Sequence, residues 1–312
     1  LLYYAQGNTA AALADYNQAI TLDPTDALAY TARGILYYKQ GNSQAALADF
    51  DQAITLDPTD ALAYFNRGLF YHKQGNTAAA LADYDQAIAL IPKSPMGYRF
   101  RGNLHNDLGN TAAALADYNQ AIRLDPTDAA AYFDRGNLHD DLGDLAAALA
   151  DFDQAIALDP TDPTAYYNRG KLHVDLGDLA AALADFDQSI EHDPASATTY
   201  YNRGFVYYEQ GKLVAALADY DESISLDPTD PEAYFNRGTI HIDLGDLAAA
   251  LVDFDQAIAL DPTDPTAYFI RGSIHMEQGE TEKAIADFKQ VLELTNDPEL
   301  SQKAQTQLQE LG

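Results

Sequence analysis

Histidines recur in this sequence at a fixed interval, and imidazole is a side chain that binds metal ions and transfers protons. The members of the column stand 34 residues or twice 34 residues apart: His105, His139, His173, His241 and His275. Zinc holds imidazole nitrogen at about 2.0–2.1 Å, whereas equivalent positions of stacked helices lie about 8–10 Å apart. Because neighbouring histidines could not share one ion at that separation, we predict packed, hydrogen-bonded histidines and no metal site.

Aspartates cluster in short turns, such as Asp159-Pro160-Thr161-Asp162, and carboxylates are the usual protein ligands of calcium. A calcium loop alternates oxygen ligands densely and contains a glycine, and these turns have neither feature. Aspartate is also a favoured N-cap residue, because its side chain accepts a hydrogen bond from the first turn of a helix. We therefore predict helix caps at these turns.

Groups for covalent or acid–base catalysis are sparse. Cysteine is absent, and the sequence shows neither a nucleophile placed with a base and an orienting residue nor a phosphate-binding loop. We predict that the protein is not an enzyme and that it uses no cofactor.

The element that positions all these residues is a unit of 34 residues. A proline ends each unit at the same step: Pro24, Pro58, Pro92, Pro126, Pro160, Pro194, Pro228 and Pro262. A period of this length is typical of helical solenoids, whose units cannot bury their apolar faces alone and must stack. The sequence therefore predicts a repeat array.

One unit illustrates the predicted fold. Asp26 is a favourable N-cap for a first helix, and Gly41 is expected to end that helix in the left-handed conformation. Asn42 can cap a second helix, which carries Ala46 and Phe50 on its apolar face at helical spacing. Each unit is therefore predicted to be a helical hairpin, in which glycines and alanines let the two backbones approach closely.

These positions resemble the pattern of the tetratricopeptide repeat family. The matching residues of one unit are Tyr30, Gly34, Tyr37, Ala46, Phe50, Ala53 and Pro58. One departure is that arginine, at Arg33 and its equivalents, replaces the leucine that the family usually has before the glycine. The resemblance implies an all-α, right-handed superhelical solenoid of antiparallel helix pairs, with first helices lining a concave groove.

We predict a single array over residues 1–312. Residues 1–26 form a partial repeat, residues 27–297 form eight full repeats, and residues 298–312 form a C-terminal capping helix. The chain begins part-way through a unit, with a first helix shortened to Leu1–Gln6, so we expect a fragment or a processed chain. Targeting signals cannot be read from such a start, and no compartment is assigned.

The arginine of each unit is expected to pair with an aspartate on the second helix of the same unit. The pairs are Arg33–Asp49, Arg67–Asp83, Arg101–Asp117, Arg135–Asp151, Arg169–Asp185, Arg203–Asp219, Arg237–Asp253 and Arg271–Asp287. Such a ladder would be bidentate, since the guanidinium fork matches a carboxylate. The alternative is that the arginines face an anionic ligand.

The charge balance bears on the partner. The chain has 48 acidic and 18 basic residues, for a net charge of −30. Nucleic acid and anionic membrane surfaces are disfavoured because both attract basic proteins, and no apolar run is long enough for membrane insertion. Basic protein or peptide segments are favoured, and the alternative is that the charge only keeps a long array soluble.

Variable first-helix positions line the groove in the family, and here they include an aromatic column. Its members are Phe65, Phe133, Tyr167, Tyr201, Phe235 and Phe269. An acidic column accompanies it at Asp141, Asp175, Glu209 and Asp243. Aromatic rings in an acidic channel suit an extended peptide with basic and apolar side chains.

Asparagines occupy a further column, at Asn66, Asn168, Asn202 and Asn236. The column resembles the asparagine ladder in the arrays of O-linked N-acetylglucosamine transferase, whose amides grip a peptide main chain. An amide can donate and accept at once, which matches a peptide unit. The column is broken by Ala32, Phe100, Asp134 and Ile270, so only three consecutive rungs remain.

These patterns favour a scaffold that holds segments of other proteins in its groove, similar to bacterial arrays of the family. Two alternatives stay open. Copies of the chain could stack head to tail through the uncapped N-terminal end and form a homo-oligomer, or the array could be the recognition arm of a larger enzyme.

Overall fold

The computed structural model describes residues 9–312, and the predicted short helix at Leu1–Gln6 lies outside them. The described residues form eighteen α-helices and no strand. In chain order they are α1 (Thr9–Leu22), α2 (Ala27–Lys39), α3 (Ser43–Leu56), α4 (Ala61–Lys73), α5 (Thr77–Leu90), α6 (Pro95–Asp107), α7 (Thr111–Leu124), α8 (Ala129–Asp141), α9 (Leu145–Leu158), α10 (Pro163–Asp175), α11 (Leu179–His192), α12 (Ala197–Glu209), α13 (Leu213–Leu226), α14 (Pro231–Asp243), α15 (Leu247–Leu260), α16 (Pro265–Glu277), α17 (Thr281–Leu294) and α18 (Pro298–Leu311).

The helices fall into two compact units, one ending at Pro160 and one beginning at Thr161. Within each unit, a first helix packs against the second helix of its own repeat, and the second helix packs against the next first helix. The predicted all-α solenoid of helix pairs is confirmed. In the second unit, α18 lays its buried Ala304 against Phe288 and Val291 of the last repeat.

The helix ends follow the predicted caps. Asp26 accepts a hydrogen bond from the Ala29 amide at 3.2 Å, and Asn42 caps α3 in the same way. Gly41 has a φ of 75°, a left-handed conformation that glycine adopts without a steric penalty. The same glycine conformation recurs at every first-to-second-helix turn among the described residues, so each hairpin reverses with the same geometry.

Close approach of the two helices explains the glycine inside each first helix. A Cβ atom added to Gly136 would lie 2.9 Å from Cε1 of Phe152, which is shorter than a van der Waals contact allows. Ala148 of the facing helix is fully buried. These small residues let the aromatic ring of the second helix rest directly on the first helix, and the predicted steric role of the glycine is confirmed.

The predicted arginine–aspartate ladder is present in every full repeat. In the repeat that starts at α14, Arg237 Nε and Nη2 donate to the two carboxylate oxygens of Asp253 at 3.0 and 2.6 Å. Asp253 is 2% exposed, so its charge has little contact with water and depends on this charge-assisted bidentate contact. The arginine also lies over the ring of Tyr234, with its Cζ 5.5 Å from the centroid.

A third arginine contact crosses to the preceding repeat, and the sequence did not predict it. Arg237 Nη1 donates to Asp221 on α13 at 2.7 Å. Arg203 makes the equivalent bond to Asp187, and Arg67 makes it to Asp51. The guanidinium of Arg237 therefore connects three helices. These are α14, which carries it, α15 of the same repeat and α13 of the preceding repeat.

We expect Arg237→Leu to destabilise the packing of α14 and α15 by on the order of 3 kcal/mol, because the buried Asp253 charge would lose its partner. The double variant Arg237→Leu with Asp253→Leu should recover more than half of that loss, since it leaves no buried charge. Hydrogen exchange of the α15 amides measures the opening free energy in both. Equal losses in the single and the double variant would contradict the assignment of a buried ion pair.

The central aromatic position of each second helix is occupied by either tyrosine or phenylalanine. Tyr84 is fully buried and its hydroxyl has no hydrogen-bond partner. Burial raises the pKa of Tyr84 well above the usual range for tyrosine. The equivalent residue is phenylalanine in five other repeats, at Phe50, Phe152, Phe186, Phe254 and Phe288.

Since the raised pKa means that the folded state favours the protonated hydroxyl, its contribution is intact below about pH 10 and is lost as the pH rises towards the folded value. We expect Tyr84→Phe to leave stability at pH 7 within about 0.5 kcal/mol and to reduce the alkaline loss. Urea unfolding of both proteins at pH 7 and above pH 10 measures this. If the difference in unfolding free energy between the wild type and the variant is the same at both pH values, the prediction is wrong.

Candidate functional site

Four residues of each first helix form a stripe of exposed and half-buried side chains, which we call the first-helix face. In α12 they are Thr198, Asn202, Phe205 and Glu209, separated by four, three and four residues so that they share one side of the helix. Asn202 is half-buried, and the other three are exposed. The equivalent positions of α10 and α14 complete the face in the second unit.

The acidic column lies at the last residue of consecutive first helices. Asp141 ends α8, Asp175 ends α10, Glu209 ends α12 and Asp243 ends α14, and all four are exposed. Among residues 9–312, none of these four carboxylates lies in an ion pair, in contrast to the ladder aspartates.

Their position is electrostatically unfavourable for the helices themselves. The C-terminus of a helix carries partial negative charge, and a carboxylate there costs about 0.3–1 kcal/mol, whereas a cation is stabilising. Lys39 and Lys73 occupy the equivalent position of α2 and α4 with the favourable sign. The acids of the later repeats are therefore not explained by helix stability. Sequence reasoning found the residues but missed this reason to single them out.

The asparagine column is brought onto one face, but its amides already have partners. Asn202 Nδ2 donates to the Tyr167 hydroxyl at 3.2 Å and to the Thr198 carbonyl at 2.8 Å. Asn236 Nδ2 donates to the Tyr201 hydroxyl at 2.9 Å. Both amide hydrogens of Asn202 are thus used, and its Oδ1 remains the atom that a ligand N–H could reach.

Asn66 stands in a different setting. Its Nδ2 donates to the Leu62 carbonyl of its own helix at 2.8 Å, and its neighbour Phe65 is only 6% exposed. Asn168 is half-buried at the equivalent position of α10. The four asparagines therefore share a position on the helix but not the same surroundings.

The aromatic column packs against the second helix of its own repeat. The ring centroids lie 5.4–6.1 Å apart in the pairs Phe65–Tyr84, Phe133–Phe152, Tyr167–Phe186, Tyr201–Tyr220, Phe235–Phe254 and Phe269–Phe288. These rings therefore belong to the core as well as to the edge of the first-helix face. Their role in binding a peptide remains a prediction.

The aromatic and asparagine columns also meet each other across repeat junctions. A residue of one first helix contacts the residue 35 positions later, on the next first helix. The two side chains of each contact are complementary. The contacts are Phe65–Phe100 between rings, Arg99–Asp134 between charges, and Tyr167–Asn202 and Tyr201–Asn236 between hydroxyl and amide.

This pairing explains two residues that look like breaks in the asparagine column. Phe100 stacks edge-on against Phe65 with centroids 5.1 Å apart. Asp134 lies 3.3 Å from Nη1 of Arg99, and its pKa is raised because burial outweighs the attraction of that arginine. Both residues are therefore junction contacts. The sequence did contain a signal: where a residue of this column is not asparagine, the residue 35 positions earlier is not tyrosine either but a side chain that suits it.

The histidine column lies beside the ladder. His139, His173 and His241 place Nε2 3.7–3.9 Å from an oxygen of the ladder aspartate in their own repeat. In the part of the chain that the structure describes, no cluster of three or more histidine, cysteine or acidic side chains is arranged to bind a metal ion. None of the helices between residues 9 and 312 combines the length and apolar character of a membrane span.

Comparison with known families agrees with this architecture. Family models described as TPR repeat or tetratricopeptide repeat match residues 1–41, 31–95, 102–143, 141–177, 167–231, 205–271 and 241–308. The unmatched stretch 96–101 contains Arg99 and Phe100, which depart from the other repeats. No curated protein sequence matches the chain.

Solved structures share the fold. The chain is 26% identical to YrrB, described as a TPR protein with an unusual peptide-binding site, with a TM-score of 0.53 over 61% of this chain and 97% of that one. A tetratricopeptide repeat protein from Parabacteroides merdae is 22% identical, with a TM-score of 0.55 over 80% and 98%. The MamA protein is 24% identical, with a TM-score of 0.50 over 53% and 90%.

The junction contact predicts energetic coupling between Tyr201 and Asn236. We expect Tyr201→Phe and Asn236→Ile each to cost about 0.5–1.5 kcal/mol. The double variant, which copies Phe235 and Ile270 of the next junction, should cost less than the sum by at least about 0.5 kcal/mol. Urea unfolding of the four proteins gives the coupling energy.

A matched control combines Tyr201→Phe with Asn66→Ile, a distant member of the same column. These two effects should add within about 0.5 kcal/mol. Additivity in both pairs would mean that the hydroxyl–amide contact does not hold the two repeats together.

Proposed function

The chain belongs to the tetratricopeptide repeat family, and we propose that it is a non-enzymatic scaffold that binds extended basic and apolar segments of other proteins. Family membership and the likeness to YrrB, whose description names a peptide-binding site, support the general role of protein interaction. In this proposal residues 1–312 form one array, with residues 27–297 as its full repeats and residues 298–312 as its cap. The segments bind along the first-helix face, which the family uses as a concave groove.

The observation that carries the proposal is the column of acids at helix C-termini, which lie in no ion pair among residues 9–312, although Asp243 is within hydrogen-bond reach of the Tyr208 hydroxyl. Asp175, Glu209 and Asp243 recur in three consecutive repeats of the second unit, exposed and opposed to the helix dipole. An acid that weakens its own helix, and that recurs at the same position of three helices, is better explained by a ligand than by folding. Lysine or arginine side chains of a bound segment would neutralise the column.

The asparagines and aromatics supply the less selective part of the contact. Asn202 offers its Oδ1 to a main-chain N–H of the ligand, because its own hydrogens are already donated. Exposed parts of Tyr167, Tyr201 and Phe235 offer apolar edges beside these amides. Main-chain and apolar contacts of this kind add affinity without reading one particular sequence.

A random-peptide phage library, panned on the full chain, supplies the probe. We expect the enriched peptides to be rich in lysine, arginine and apolar residues. Changing Asp175→Asn, Glu209→Gln and Asp243→Asn together should weaken binding of basic peptides by at least about tenfold and flatten its salt dependence, since exposed charge attraction is screened within about 8–10 Å. Fluorescence anisotropy at low and high salt measures both effects.

A control variant removes the same number of charges from second helices of the same unit, at Glu191, Glu222 and Glu293, each changed to glutamine. It should bind basic peptides like the wild type. Changing Asn168, Asn202 and Asn236 together to alanine should instead weaken basic and neutral peptides alike. Peptide binding that survives the acid set and the asparagine set unchanged would exclude the first-helix face, and concentration-dependent light scattering would then test self-assembly.

A further inference from the structure

A cleft recurs at the same place in three repeats. It opens where the start of a first helix, the end of its second helix and the start of the next first helix meet. We name each cleft after its first helix. The α4 cleft has a volume of about 80 Å³, the α10 cleft about 230 Å³ and the α14 cleft about 470 Å³.

The chemistry of the cleft changes from repeat to repeat although the backbone around it is the same. The α4 cleft is lined by apolar side chains, including Leu62, Ile91 and Met96. The α10 cleft is lined mainly by hydroxyl groups, at Thr164, Ser189, Ser196, Thr198 and Thr199, with a single carboxylate at Asp193. The α14 cleft has carboxylates at Glu232, Asp261 and Asp264. A few side chains at fixed positions therefore decide what each cleft can hold.

Two aromatic rings and a proline form the walls of the α14 cleft, from Tyr201, Phe235 and Pro231. The Tyr201 hydroxyl accepts a hydrogen bond from Asn236 at 2.9 Å and donates to Glu232 Oε2 at 3.1 Å. This chain of hydrogen bonds fixes the Glu232 carboxylate at the rim. Burial and the nearby Glu232 charge raise the pKa of Tyr201 to about 12, so the hydroxyl stays a donor at neutral pH.

The other two carboxylates each have one oxygen committed to the local backbone. Asp261 Oδ1 accepts from the Thr263 amide at 2.9 Å, and Asp264 Oδ1 accepts from the Thr266 amide at 2.8 Å. Their second oxygens make no such bond, and none of the three acids of this cleft lies in an ion pair within residues 9–312. The cleft thus combines carboxylates outside any ion pair with the aromatic rings of Tyr201 and Phe235.

We propose that the α14 cleft binds the cationic side chain of a single lysine or arginine. Carboxylates at the rim would form charge-assisted hydrogen bonds with the cation, and the Tyr201 and Phe235 faces would attract it through their π electrons. A metal ion does not fit, because these acids do not converge into a metal-binding group among the described residues. A volume of about 470 Å³ leaves room for the aliphatic stem of the side chain.

This inference rests on the proposed function in that the cation is carried by a bound segment. It adds a site that the acidic column does not include. Asp243 lies at the last residue of α14, whereas Pro231 and Glu232 begin the same helix. A helix of 13 residues separates its ends by about 18 Å, at 1.5 Å per residue. One segment that contacts both would therefore need two cations set well apart.

The test uses the full chain and Nα-acetyl-arginine methylamide, a probe without a peptide's other contacts. Methyl resonances of Ala257 and Thr266 report on the α14 cleft, and those of Thr164 and Thr198 report on the α10 cleft. We expect saturable shifts at Ala257 and Thr266 only. The citrulline analogue, which has the same shape without the charge, should bind at least about tenfold more weakly.

The matched variant Glu232→Thr with Asp264→Ser copies the residues at the equivalent positions of the α10 cleft. Ser196 caps its helix there, so the replacement retains a capping side chain. Because the variant removes only two acids from a chain of net charge −30, the non-specific electrostatic attraction of the cationic probe to the protein changes little. Binding at Ala257 should fall at least about tenfold, while the Thr164 and Thr198 resonances stay in place.

The reciprocal variant Thr164→Glu with Ser196→Asp should create arginine-dependent shifts at Thr198. Equal shifts with arginine and citrulline, or undiminished binding in the Glu232→Thr and Asp264→Ser variant, would overturn the proposal. If library peptides bind but the arginine probe does not shift the Ala257 methyl resonance, the cleft proposal is wrong and the scaffold function is unaffected. Arginine binding in the cleft without any peptide binding would support the site and count against the scaffold.

Discussion

The structure depends above all on the guanidinium group of each repeat, which holds a buried aspartate and in several repeats also reaches the preceding second helix. Arg237 grips both oxygens of Asp253 and reaches back to Asp221 on the preceding repeat. The contact is made possible by Gly238, next in the chain, where an added Cβ would lie 3.1 Å from the ring of Phe254. Close approach and a buried bidentate ion pair therefore occur together. Breaking the pair leaves a charge that the core cannot solvate.

A frame held in this way leaves other positions free to vary. The clefts beside α4, α10 and α14 occupy the same place, yet the first is apolar, the second is lined mainly by serine and threonine with one carboxylate, and the third has three carboxylates. The last residue of the first helix likewise changes from Lys39 to Glu209 without altering the hairpin. In a solenoid each repeat contacts only its neighbours, so a local change of chemistry need not disturb the stack. Variation of this kind is what a scaffold for chosen segments requires.

Much of the fold was predictable, because each unit repeats local rules. The caps at Asp26 and Gly41, the glycine contact and the bidentate ladder all follow from spacing within one unit. The junction contacts were not predicted. A column of equivalent residues shows which positions correspond between repeats, but it does not show which residues of neighbouring repeats contact each other. Phe100 and Asp134 therefore looked like breaks, although they pair with Phe65 and Arg99. The clefts were missed for the same reason, because three separate segments line each one.

Hydrogen–deuterium exchange of the full chain, with and without a phage-selected basic peptide, tests the central claim most directly. If segments bind along the first-helix face, protection should increase in α10, α12 and α14 and stay unchanged in α11, α13 and α15. The start of α14 should be protected most strongly by peptides that contain arginine or lysine. Protection confined to the second helices, with the first helices unchanged, would contradict the account and place the partner on the opposite face of the repeats.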